Sequence, residues 1–260
     1  GFIFYEYGIP SCLYNSLVKP LTELEISGVL WYQGCSDADQ PAEYYTLQKL
    51  LIEAWRGVFK NPKLPFFITQ LAAFQDQRPD NRLPDDFWKE LEPNNDGYQK
   101  IREVQKRVAE EVENAALAVT IDIGDHSDIH PTNKFDVAKR LFACARRLGY
   151  GEDVPYLCPD VESTIEQDGG LLLKIKNVGN GLLIKDATEI GEHMFALAGA
   201  DGVYKWAKAK LVSANEIFVS SSEVAEPKTV RYAWSAFPPF TNIYSSDGFP
   251  LQPFRTDFEK

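Results

Sequence analysis

The sequence predicts an α/β layer built on a parallel sheet with flanking helices, followed by a β-rich, sandwich-like half. Three observations carry this reading. Residues 26–150 alternate short apolar runs with amphipathic helical patterns, as parallel strands covered by helices do. From about Tyr150 the period becomes alternating and Gly-bearing turns multiply. The chain is 260 residues long and 44% hydrophobic, enough for one large core or two smaller ones. The change of period divides it into residues 1–151 and 152–260.

In the first half, Ile26 to Tyr32 reads as a buried strand, and Gly34 lets the backbone turn at its end. A helix is predicted from Ala42 to Phe59, with Leu47, Leu50, Leu51, Ala54, Trp55 and Val58 on its apolar face. Leu64 to Leu71 reads as the next strand. Residues 75–96 form a polar loop bearing Pro and Asn, long enough to suggest a functional surface. Tyr98 to Asn114 has a helical period that buries Ile101, Val104, Val108 and Val112. Ala116 to Ile123 makes a third strand, and Thr132 or Asn133 caps a helix running from Lys134 to Leu148. In the second half, strands are predicted at 171–178, 195–198, 208–212, 216–219 and 229–234.

Composition narrows the function. Lys plus Arg number 27 against 38 for Asp plus Glu, a formal charge of −11, which argues against a nucleic-acid partner. No apolar run approaches the roughly 20 residues needed to span a bilayer, so no membrane partner is expected. Aromatic residues make up 13% of the chain, which suits either a core or a carbohydrate cleft. The opening Gly1-Phe2-Ile3-Phe4-Tyr5 is already apolar, as if cut from something longer, and no positively charged leader precedes an apolar stretch. Cys12, Cys35, Cys144 and Cys158 show no C-x-x-C spacing, so neither a metal site nor a disulfide framework is expected. No phosphate-cradling or dinucleotide motif occurs, and no cofactor is expected.

In α/β sheets chemistry gathers at the carboxyl ends of the strands, and Gln33 and His130 both follow strands. His130, flanked by Asp128 and Asp125 just before a helix, can act as a general base, its tautomer fixed by a carboxylate. The alternative is a loop histidine that satisfies local hydrogen bonds. Gln33 can donate its amide to an oxyanion or cap loop backbone. Cys35 is a thiol nucleophile only if His130 approaches it. Asp37, Asp39 and Glu43 read as a solvated helix entrance. His126 and His193 lack a ligand-like partner pattern.

Ordered segments across the chain carry a family resemblance. Pro10-Ser11-Cys12-Leu13-Tyr14-Asn15 precedes Val18-Lys19-Pro20-Leu21. Gly28-Val29-Leu30-Trp31-Tyr32-Gln33-Gly34 forms the first strand, and Trp55-Arg56 and Leu64-Pro65-Phe66 follow it. Ile101-Arg102-Glu103-Val104-Gln105 and Thr120-Ile121-Asp122-Ile123-Gly124-Asp125 come next, then Asp128-Ile129-His130-Pro131 with Asn133-Lys134 and Arg140-Leu141. Val230-Arg231-Tyr232-Ala233-Trp234, Gly248-Phe249-Pro250 and Pro253-Phe254-Arg255-Thr256-Asp257 close the series. In this order they resemble the sialate O-acetylesterases, a branch of the SGNH hydrolase superfamily. The resemblance implies a partial SGNH-type, flavodoxin-like sheet in residues 1–151 and an ester hydrolase that removes acetyl groups from sialic acids.

It further implies a serine acyl-enzyme, with His130 as base, Asp128 as the preferred orienting acid and Gln33 at the oxyanion. Asp125 is second choice for the acid, and a dyad without one is third. Arg102 would approach the substrate or make a structural ion pair. The family's nucleophile sits in an early G-x-S-x block that this chain lacks, and Ser11 and Ser16 fall in a different segment. The family's Glu-Ser-Asn after the strand is Cys35-Ser36-Asp37 here, and Asp128 precedes His130 by two residues where the superfamily has D-x-x-H. The expected partners are therefore an O-acetylated sialic acid or other acetylated carbohydrate and the missing amino-terminal portion of the same protein. Little activity is expected of this chain alone, and an extracellular or periplasmic location is implied. Acetylated xylan as substrate, or a noncatalytic carbohydrate-binding relative, are the alternatives.

Overall fold

A computed structural model describes residues 9–74, 93 and 97–257. The opening segment and, Pro93 apart, the predicted loop at 75–96 lie outside the described residues. Three parallel strands, β1 (Val29–Trp31), β2 (Phe66–Thr69) and β3 (Ala115–Ala118), pair in chain order, Val29 opposite Phe66 and Phe66 opposite Ala115. Helices α1 (Pro41–Val58) and α2 (Tyr98–Glu111) make the two crossovers. They cover the face carrying Val29, Phe66 and Ile68. Helix α3 (Lys134–Cys144) covers the other face, packing Val137, Leu141 and Cys144 on Phe67, Ala116 and Ala118. The alternation follows from the two-residue period of a strand, which sends neighbouring side chains to opposite faces. Asn133 caps α3 by accepting from the Asp136 amide, and a π-helical turn at Ala145–Gly149 extends it.

Helix α1 corrects one expectation. Its buried line is Tyr44, Gln48 and Ile52, while Leu47 and Leu50 are 51% and 53% exposed. A three-stranded sheet offers α1 a single narrow seam, so the rest of its apolar surface stays uncovered.

The second half holds β4 (Asp160–Gln167), β5 (Gly170–Lys176), β6 (Leu182–Ile184), β7 (Phe195–Ala198), β8 (Lys205–Ser213), β9 (Glu216–Ser220), β10 (Thr229–Tyr232), β11 (Ile243–Ser245) and β12 (Phe254–Arg255). Seven of them form one antiparallel sheet in the order β12-β10-β7-β8-β9-β5-β4, and β6 with β11 makes a two-stranded ladder over its core. Strand β4 has no apolar alternation to announce it, because Glu162 to Gln167 are all exposed. It is an edge strand whose charged surface discourages further pairing. Leu171, Leu173, Ile175, Ile217, Val219 and Val230 bury the inner face of the sheet. Ala73, Val119 and Ile121 of the first half belong to the same cluster. The two halves thus share one core at the carboxyl end of the parallel sheet.

Candidate active site

Three segments leave the carboxyl ends of β1, β2 and β3, and polar side chains of α2 tie the first two together. Gln105 accepts the Leu71 amide at 2.8 Å and donates to the Gln33 carbonyl at 3.1 Å, fixing the exits of β2 and β1 together. Tyr44 of α1 donates to the same Gln33 carbonyl at 2.9 Å. Gly34 takes φ +137° there, and a Cβ would press on the Tyr44 hydroxyl at 3.0 Å. At the exit of β3, a Cβ on Gly124 would lie 1.8 Å from the Ala73 carbonyl, so only glycine lets the two exit loops touch.

Arg102 is 1% exposed, and its guanidinium donates to the Leu71, Ala72, Ser235 and Ala236 carbonyls at 2.7–2.8 Å. Burial pulls its pKa down to about 9, which leaves it charged at neutral pH. Its donors are spent on backbone, joining the exit of β2 to the loop after β10. Arg140 of α3 clasps the Asp122 carboxylate with two 2.6 Å bonds, and the Tyr244 hydroxyl of β11 donates to that carboxylate at 2.6 Å. Both the loop after β3 and the helix after it are thereby braced on the β-rich half.

That loop carries the candidate base. Asp125 Oδ1 accepts the Ser127 amide and hydroxyl and the Asp128 amide, and the Ser127 bonds hold its carboxyl below the ordinary range. Asp128 Oδ1 accepts the His130 amide at 2.7 Å and lies 3.5 Å from its Nδ1. The His130 side chain is 84% exposed. Asp128 is thus the carboxylate beside the imidazole, while Asp125 shapes the turn. Lys134, four residues beyond His130, stands 5.6 Å from the Tyr32 ring centroid, which brings the start of α3 to the exit of β1. Among the described residues no hydrogen bond joins Gln33 to His130.

The exposed Gln33 side chain donates Nε2 to Asp37 Oδ2 at 2.7 Å. Asp37 therefore orients the amide, a role beyond the solvated helix entrance expected of it. The four-residue spacing across the turn at Cys35–Asp37 is the available signal. Cys35 is half-buried against Tyr44, Leu71 and Ile101, and burial raises its thiol pKa, which disfavours the thiolate. Cys144 and Cys158 are buried with thiols pushed up to about 12.

An imidazole beside a carboxylate and an oriented amide, on exit loops of the two outer strands of one parallel sheet, are groups that can accept a proton and donate to an oxyanion. Residues 5–139 match the family model described as carbohydrate esterase, sialic acid-specific acetylesterase. The chain belongs to this family. Sialate O-acetylesterase of Mus musculus is 31% identical over 160 residues, covering 55% of this chain and 27% of the relative. The Homo sapiens enzyme is 30% identical over 159 residues, with 55% and 28% covered. The chain therefore spans little more than a quarter of these curated relatives. A solved carbohydrate acetylesterase from Xanthomonas citri superposes with a TM-score of 0.79 at 33% identity, covering 98% of this chain and 57% of that one. All these relatives are esterases of acetylated carbohydrate or sialate, which agrees with the hydrolase class implied by the motifs.

Proposed function

We propose that the chain supplies the base and oxyanion elements of a serine acetylesterase acting on O-acetylated carbohydrate, with sialic acids as first substrates. In this reading a serine Oγ attacks the acetyl carbonyl and His130 takes its proton. Gln33, oriented by Asp37, donates to the oxyanion, and the sugar hydroxyl leaves with the proton from His130. Water, deprotonated by His130, then attacks the acyl-serine, acetate is released, and the serine oxygen takes the proton back from His130. Asp128 holds the imidazole. Arg102 acts by positioning the exit of β2, since its guanidinium is spent on four carbonyls. The carrying observation is the exposed His130, pinned by Asp128 at the carboxyl end of a parallel sheet.

In the same reading the nucleophile arrives on a segment of the longer protein, outside this chain. Among the described residues β1 pairs only with β2, and Leu30 on it is 62% exposed. Phe135 and Phe142 on α3 are 77% and 58% exposed, and Leu47 and Leu50 of α1 are uncovered as well. Parallel sheets are normally covered on both faces, so this open edge supports the seating of a further strand and its helix. The location implied by the family is outside the cytoplasm. No helix among the described residues is long and apolar enough to cross a membrane.

Acetate release from O-acetylated sialic acid and from acetylated xylan, measured on the protein at its natural length, tests the substrate. Sialate turnover exceeding xylan turnover supports the reading, and the reverse order makes it a polysaccharide esterase. Sugar binding with no turnover of either substrate would favour the noncatalytic relative that Cys35, in place of the family's acid, suggests.

A further inference from the structure

A groove of about 390 Å³ lies away from the candidate active site, where the π-helical end of α3, the 153–157 segment and two turns of the β-rich half meet. Its volume falls within the roughly 300–1,000 Å³ of small-ligand sites. The run from Lys134 to Gly149 is about 24 Å of helix, so this groove sits at the opposite end of α3 from His130.

Its lining combines apolar and planar polar groups. Tyr156 and Leu157 give a ring and an aliphatic surface, with Arg147, Asp153, Asn177 and Asp247 around them. Leu157 is 48% exposed, and Tyr156 leans on the core beneath α3. Asn177 donates its amide to the Cys158 carbonyl, which leaves its side-chain oxygen as an acceptor. Gly179 permits the close packing of the Asp247 carboxylate, since a Cβ there would sit 2.6 Å from Asp247 Oδ2. A pyranose needs this mixture, an apolar surface under its C–H face and fixed carboxylate, amide or guanidinium groups for its hydroxyls.

Charge narrows the ligand further. Arg147 is paired with Asp153, so the two cancel, whereas Asp247 has no cationic partner among the described residues. The groove is therefore net negative and repels an anionic sugar. We propose that this groove is a second, noncatalytic carbohydrate site that takes uncharged oligosaccharide and disfavours sialate. It would hold a neutral glycan while the carboxyl end of the sheet handles the acetyl ester, and it does not depend on turnover.

The test is an NMR titration of the isotope-labelled chain with xylohexaose and, separately, with N-acetylneuraminic acid. The expected result is xylohexaose shifts clustered at residues 147–157, 177–179 and 247, with sialate several-fold weaker there. Asp247→Ala, a surface change that spares the core, and Tyr156→Ala should each weaken xylohexaose about tenfold. His130→Ala should leave the titration unchanged, which separates this site from the esterase reading. Absence of shifts at the groove, equal or stronger sialate binding, or indifference to Asp247→Ala in a folded protein would overturn the proposal.

Discussion

The two sheets bury their surface differently. The seven-stranded sheet closes on a continuous core in which Leu173, Leu197, Ile217, Val219 and Val230 are all 0% exposed. The three-stranded sheet splits its apolar residues between two smaller clusters and, among the described residues, leaves β1 with an open edge. Yet every candidate catalytic group is on the weaker sheet, whose exit loops are tied to the stronger half by Arg102 on the Ser235 and Ala236 carbonyls and by Tyr244 on Asp122. We propose that the change of architecture near residue 152 separates a chemical layer from its buttress, not two independently folding units. The shared cluster of Ala73, Val119 and Ile121 with the β-rich core supports that.

Arg102→Met should be the most damaging single change. It strands four carbonyls across the junction and should cost about 3–5 kcal/mol in urea unfolding, with both halves melting together. Separate transitions, with the β-rich half unmoved, would mean that the halves stand alone. Next is a pair of leucines. Leu173→Ala should cost about 2–5 kcal/mol by leaving a cavity. Leu30→Ala on the open edge of β1 should stay within about 0.5 kcal/mol. Comparable losses would show β1 to be covered after all. The smallest effect belongs to the His130 loop. The Asp125 carboxyl is held below its ordinary 3.8, so its stabilisation is complete above that pH and is lost as pH falls through the lowered folded value. Amide signals of Ser127 and Asp128 should shift in that acid window in the wild type and lose the dependence in Asp125→Asn, while the β-rich half stays unchanged.

Much of this arrangement is legible in the sequence, and the exceptions have physical causes. The strands and helices of the first half can be found because apolar period alone determines them, although each strand is shorter than its apolar run. The third run shows why. Its apolar residues continue past the ladder and are buried as loop, Val119 and Ile121 feeding the junction while Ile123 packs under α3. The sequence leaves Arg102 between a substrate contact and an ion pair and assigns Gln105 no role, whereas both are buried to satisfy backbone of other segments, a long-range requirement with no local period. Asp37 is hidden for the opposite reason, since a carboxylate at a helix entrance already has an ordinary explanation. His130 and Asp128 are visible as a motif, and the structure adds their spacing and exposure.

We propose that His130 is the base of an acetylesterase whose nucleophile lies outside these 260 residues. Acetyl-ester turnover decides this, measured on the chain alone and on the natural-length protein, each with His130→Ala and Cys35→Ala. Background turnover is expected from the chain and activity from the longer protein, with a loss of about 10²–10⁴ in His130→Ala and little change in Cys35→Ala. Turnover by the chain itself that disappears with Cys35→Ala, or a longer protein indifferent to His130→Ala, would contradict it.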